Sequence, residues 1–239
     1  MKVTLFVPCF VDAMFPDAAM GAVTVLERLG HEVLFPEGQT CCGQPPFNTG
    51  MWDEARAVAR RQLGIFADAE IIVSISGSCG AMMKVFYPEL FRGDRDEETA
   101  RSVASKTHEF SDFLVNVLGV TDVGAVFSGR ATFHDGCHGL RELGIKKAPR
   151  ALLANVRGLE LVESPEAETC CGFGGMFSVK FPMISTAMGE VKCDSIVATG
   201  ADFVISNDSS CLMQIGGMLE RQGRPRRCLH LAEVLAPTA

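Results

Sequence analysis

Residues 39–48 read QTCCGQPPFN, and residues 168–177 read ETCCGFGGMF. Two adjacent thiols before a glycine therefore occur twice, 170 minus 41 and 171 minus 42 both giving 129. Working outward, VTLFVPCF (3–10) pairs with ATFHDGCHGL (131–140), and AEIIVSISGSCGAM (69–82) pairs with ADFVISNDSSCLMQ (201–214). The flanking cysteines keep step, 137 minus 9 giving 128 and 211 minus 79 giving 132, so eight of the ten cysteines fall into register. A fourth match, HEFSDFLVNVLG (108–119) with HLAEVLAP (230–237), closes each copy with the start of an amphipathic helix. The chain is an internal repeat, and its halves are expected at 1–124 and 125–239.

Each copy has the same coarse order. A β-branched run leads to a cysteine, and a segment of helical periodicity follows that stops at glycine: DAAMGAVTVLERLG (17–30) or KKAPRALLANVRG (146–158). A second strand, HEVLFP (31–36) or LELVES (159–164), precedes the paired cysteines. Helices around 51–68 and 183–199 and a third strand complete the unit. Alternating strand and helix predicts an α/β fold of two similar halves, each with a parallel sheet covered by helices and cysteine loops at the strand carboxyl ends. The charged stretch 91–106, with only Phe91 and Val103 as large apolar residues, reads as solvated helix or loop.

Composition narrows the function classes. Hydrophobic residues make up 47% and charged residues 21%, which suits a folded globular chain and not a disordered one. Apolar runs such as VTLFVPCF fall short of the roughly 20 residues of a membrane-spanning helix. The opening MKVTLFVPCFVDAMF carries Cys9 and Asp12 and leads to no small-residue cleavage site, so a cytoplasmic protein is expected. A formal charge of −7 without a basic stripe argues against nucleic acid or membrane as a partner. Ten cysteines are too few for a disulfide scaffold of this length yet many for a reducing compartment, which points to metal binding. Cysteine is also a common apolar filler, the reading that fits Cys193 and Cys228. Neither has a cysteine counterpart, and the repeat sets Cys193 against Arg61.

Open parallel sheets gather their loops outside the strand carboxyl ends. Cys9, Cys41, Cys42 and Cys79 can therefore meet, as can Cys137, Cys170, Cys171 and Cys211, with Gly43 and Gly172 turning each pair toward its cluster. Four thiolates suit zinc or a four-iron, four-sulfur cluster; a C-C pair with long gaps is unlike the close knuckles of structural zinc and favours the larger group. CCGFGG (170–175) offers backbone N–H groups to such a cluster and is no nucleotide fingerprint, since it does not lead from a strand into a helix as GxGxxG. A vicinal Cys41–Cys42 disulfide is the alternative, though a strained one.

With these motifs the chain resembles the cysteine-rich CCG family, which includes the cysteine-rich subunit of heterodisulfide reductase and the iron–sulfur subunit of glycolate oxidase. The resemblance runs from VTLFVPCFVDAMFP through both CCG motifs to GADFVISNDSSCLMQIGG and HLAEVL. It implies an iron–sulfur electron-transfer subunit, with a cluster of the 4Fe-4S kind, one or two per chain. It also implies partners in lactate utilization, a ferredoxin-like protein B and a protein C, in a complex whose substrate is a small 2-hydroxy acid, L-lactate oxidised to pyruvate. Glycolate oxidation, heterodisulfide-reductase-like work and a non-redox structural zinc module are the alternatives. The family's motif ends in C-x-x-C, whereas here Met82 and Gln214 stand at the final positions. That departure counts against the many-thiolate cluster of heterodisulfide reductase.

Secondary candidates surround Cys137. His134, Asp135 and His138 could ligate, donate to sulfur or move a proton, or they could be hydrogen-bonded framework residues. Lys180 could hold a substrate carboxylate, or be an ordinary solvated lysine. His108 and His230 read as structural starts of the closing helices, and Met82 and Met83 as core.

Overall fold

The computed structural model describes residues 1–238. In the first half, β1 (Lys2–Phe6), α1 (Cys9–Met14), α2 (Pro16–Arg28) and β2 (Glu32–Leu34) lead to α3 (Gln44–Asn48), α4 (Trp52–Phe66), β3 (Ile72–Ser74) and α5 (Gly77–Ala81). A π-helical turn (Met82–Phe86) continues into α6 (Tyr87–Leu90), α7 (Glu97–Lys106), β4 (Thr107–Glu109), α8 (Phe110–Asp112) and a second π-helical turn (Phe113–Val117). The second half repeats the plan with β5 (Val126–His134), α9 (Cys137–Arg141), α10 (Lys147–Leu153), β6 (Arg157–Leu161), α11 (Met176–Lys180), α12 (Pro182–Ala198), β7 (Phe203–Ser206), α13 (Ser209–Arg221), β8 (Arg227–His230) and α14 (Leu231–Leu235).

The sheets are ordered β2-β1-β3-β4 and β6-β5-β7-β8, every neighbouring pair parallel. The expected α/β duplication is thus present, with one strand more per half than the sequence indicates. The added strands, β4 and β8, lie where the sequence suggests only the start of a closing helix. They carry no β-branched run, and pairing with β3 and β7 holds them extended. Their register also shifts the repeat: Ser74 pairs with Glu109 and Ser206 with His230. His230 is therefore matched by Glu109, not by His108. Both cap the helix that follows: Glu109 accepts from Ser111 N and Asp112 N, and His230 accepts from Ala232 N.

The stretch 91–106 is less solvated than its charge suggests. Ala100, Val103 and Ala104 of α7 are buried, and Arg60 of α4 pairs with Asp94 and Asp96 to tie the segment down.

One apolar core joins the halves. It contains Val25 and Leu26 of α2, Phe110 and Phe113 of the first half's closing segment, Leu152 and Leu153 of α10, and Leu231 and Leu235 of α14. The closing helices are exchanged, α14 lying on α2 and α8 on α10. Arg28 seals the exchange by donating to Val123 O, Leu235 O and Ala236 O. A five-residue helix does not persist alone, so α14 is held by burying Leu231, Val234 and Leu235, each contributing about 1.5–3 kcal/mol.

Candidate metal centre

All eight repeated cysteines line one cavity of about 230 Å³. Cys9 and Cys137 are the first residues of α1 and α9, immediately past the central strands. Cys79 and Cys211 are the third residues of α5 and α13, one turn past β3 and β7. The pairs Cys41–Cys42 and Cys170–Cys171 sit in the loops after β2 and β6. Each quartet so gathers at the carboxyl edge of its own sheet, and the edges face each other. Gly77 N donates to Asn207 O at 3.1 Å, and α5 lies so close on α9 that a Cβ at Gly77 would stand 3.2 Å from Gly139 Cα.

The CCG turn is built alike in both halves. Gly43 and Gly172 have φ of 87° and 85°, a conformation glycine adopts without steric cost. Their N–H groups donate to Cys41 Sγ and Cys170 Sγ, each at 3.4 Å. Added side chains would also strike α4 and α12, a Cβ at Gly43 lying 3.0 Å from Ala55 O and one at Gly172 only 2.4 Å from Ser185 O. The pairing of Ala55 with Ser185 resets the helix register by two residues from the sequence alignment. Cys193 then corresponds to Leu63, not to Arg61. Cys193 is wholly buried among Ile196, Leu212 and Ile215, which explains the thiol as apolar packing.

All ten cysteines are free thiols. Cys41 is lowered to about 3 by hydrogen bonds from Cys42 and Cys9, and Cys170 to about 2 by those from Cys137 and Cys171. Their donors Cys9 and Cys137 are pushed up correspondingly. Cys42 Sγ lies 3.3 Å from Cys79 Sγ. Each half so presents one sulfur whose anionic form is favoured by two thiol donors, with the fourth cysteine, Cys79 or Cys211, meeting the buried thiol of the pair. This donor set, with N–H groups aimed at sulfur, is of the kind that iron–sulfur groups and soft or borderline metals take up.

The other candidates separate. His138 lines the cavity, its ring edge-on to Phe86 at 6.0 Å. His134 is fully buried beneath it, and one of its ring nitrogens lies within 4.8 Å of Cys171 and Cys211 Sγ. Burial, and then the Lys192 charge, lower His134 to about 3. Asp135 forms a two-pronged pair with Arg150, both contacts at 2.8 Å, and ties β5 to α10. Lys180 is exposed on α11, away from the cavity lining. Met82 is packed with Phe6, Cys42 and Tyr87, while Gln214 turns into a separate cleft beside Ser185 and Met218.

Sequence reasoning passed over three residues here. Lys192, buried on α12, donates to Glu166 O and Ala167 O just before the second CCG turn. Phe10 and Phe173 wall the cavity with ring centroids 6.2 Å apart. Nothing local marks a buried lysine, but Phe10 follows Cys9 directly and Phe173 lies two residues after Cys171, and that proximity to motif cysteines was the available signal.

The model of the CCG cysteine-rich domain matches this chain twice, at residues 3–84 and 131–216. The chain belongs to the cysteine-rich CCG family. It is 51% identical over 98% of both chains to lactate utilization protein A of Geobacillus thermodenitrificans. It is 50% identical over the same shares to the protein of that name from Bacillus cereus strain G9842. A hypothetical protein from Helicobacter pylori shares the fold at 11% identity and a TM-score of 0.62, with 98% of this chain aligned. This chain spans 48% of that protein's length. Among the described residues, no helix is long and apolar enough to cross a membrane.

Proposed function

We propose that the protein is the iron–sulfur electron-transfer subunit of a cytoplasmic system that oxidises L-lactate to pyruvate. The observation that carries this reading is the arrangement of eight cysteines as two alike quartets around one cavity, in a chain half identical to lactate utilization protein A. Cys9, Cys41, Cys42 and Cys79 would hold one 4Fe-4S cluster, and Cys137, Cys170, Cys171 and Cys211 the other, in CCG-type halves of residues 1–124 and 125–239. A bound cluster supplies a centre that takes up and releases single electrons.

The chain's own residues prepare that role. Gly43 N and Gly172 N donate to sulfur, which favours the thiolate form and tunes whatever metal it binds. Phe10 and Phe173 give the cavity apolar walls, and Cys42, Cys171 and Cys211 are its buried thiols. In this reading the removal of proton and hydride from the 2-hydroxy acid falls to the partner proteins. The designation A in the relatives' name accords with a multi-protein system, and a ferredoxin-like protein B and a protein C are the proposed partners.

Anaerobic iron and acid-labile sulfide analysis with electron paramagnetic resonance tests the reading. Stoichiometric iron and sulfide with a reducible signal is expected. Zinc alone, with no iron after anaerobic reconstitution, would select the structural-module alternative.

A further inference from the structure

The two halves differ beneath their cysteine loops. Register places Phe6 beside Ser74 and His134 beside Ser206, so the last residue of the central strand is a phenyl in one half and an imidazole in the other. Phe6 is satisfied by its surroundings, packed with Cys42, Met82 and Tyr87 and edge-on to Phe66 at 5.6 Å. His134 is 1% exposed, yet neither ring nitrogen has a hydrogen-bond partner among the described residues. Leaving both a buried donor and a buried acceptor unmatched is costly and calls for a partner that the protein chain does not supply. The nearby atoms suggest which: one ring nitrogen, Cys171 Sγ and Cys211 Sγ all lie within 4.8 Å of one another.

We propose that His134 is a nitrogen ligand to the metal group held through Cys171 and Cys211, taking one of the group's four ligand positions in place of Cys137 or Cys170, so that the two halves carry unlike donor sets. The first half offers sulfur alone. The second offers sulfur and an imidazole. Iron and zinc both accept this mixture of thiolate and imidazole. Gln214, which stands where the family pattern has a further cysteine, is turned into a different cleft and does not substitute for it. The identity of the metal as iron rests on the function proposed above; the placement of His134 does not.

The test uses the full chain reconstituted anaerobically with iron and sulfide, with and without ¹⁵N-histidine, then reduced and examined by electron spin echo envelope modulation. Modulation from a histidine nitrogen that changes with the label is expected, kept in His138→Phe and lost in His134→Phe, the variant that copies the first half. Iron-loaded wild type without histidine modulation, or modulation that survives His134→Phe, would overturn the proposal. Should His134→Phe fail to fold, the labelled wild type and His138→Phe decide the matter without it. A chain that takes up no iron refutes the iron–sulfur reading instead, and cobalt(II) then serves as the probe. Binding weakened beyond the roughly 10–100-fold that loss of an outer-shell partner costs, in both His134→Phe and His134→Gln, supports the imidazole ligand, and a smaller change or none removes it.

Discussion

Ser78 N donates to Asp208 Oδ2 at 2.9 Å, a bond between residues 130 apart that each lie within three positions of a motif cysteine. The other oxygen of Asp208 accepts from Ser210 Oγ at 2.8 Å. One carboxylate so spans the two sheet edges and holds both quartets on a common rim. Asp208→Ala leaves the Ser78 N–H without its acceptor, and a loss of about 1–3 kcal/mol is expected from a group of this burial. Urea unfolding of Asp208→Ala and Asp208→Asn measures it, with the asparagine variant expected to keep the larger share of the stability.

The glycines of the two CCG turns should not tolerate a methyl group equally. At Gly172 a Cβ would lie 2.4 Å from Ser185 O, against 3.0 Å from Ala55 O at Gly43, and both positions also demand positive φ. Gly172→Ala should therefore cost more stability than Gly43→Ala, with both beyond the roughly 1 kcal/mol of backbone strain alone. Equal midpoint shifts in denaturant would show that the carbonyls yield, contrary to this expectation.

Thiols of the same type should divide by place. Cys171 lines the cavity, whereas Cys193 is packed among apolar side chains of α12 and α13. Cys171→Ser is expected to abolish the absorption of the second-half metal group, and Cys193→Ala to leave it intact at a modest packing cost. Iron content per folded chain is the measurement, because loss of metal and loss of fold accompany each other.

Burial raises Glu109 from 4.5 to about 7, against the opposing hydrogen bonds from Ser111, Asp112 and Asn207. The folded chain then keeps a proton that the unfolded chain releases between these values, so this group's contribution to stability falls as pH rises through that window. His134 and His230, lowered to about 3 and about 4 by burial, slope the opposite way below pH 6.5. Glu109→Gln retains both histidines and isolates the carboxyl. Its stability relative to wild type should grow by about 1–3 kcal/mol between pH 5 and pH 8, read from paired urea titrations; a difference independent of pH would reject the assignment.

Much of this was legible along the chain. The repeated TCCG, the matching strand and helix order, and the eight cysteines in register are local patterns, and local patterns survive in a one-dimensional reading. The helix register was not, because the sequence contains no gap that marks where the spacing changes from 129 to 130. Only the seating of Gly43 against Ala55 and Gly172 against Ser185 settles it. The fourth strands escaped notice for a related reason: Thr107–Glu109 and Arg227–His230 are too short and polar to carry a period, and they are strands by virtue of their neighbours.

From its residues alone the chain determined that it is a duplicated α/β protein and which thiols belong to the motif, since periodicity and spacing are properties of consecutive residues. That the two quartets share one cavity, that the closing helices cross between halves, and that His134 comes to rest near Cys171 and Cys211 were decided in three dimensions. Each depends on how one folded surface seats against another more than 30 residues away in sequence, and complementary packing of that kind leaves no trace in the order of the residues that achieve it.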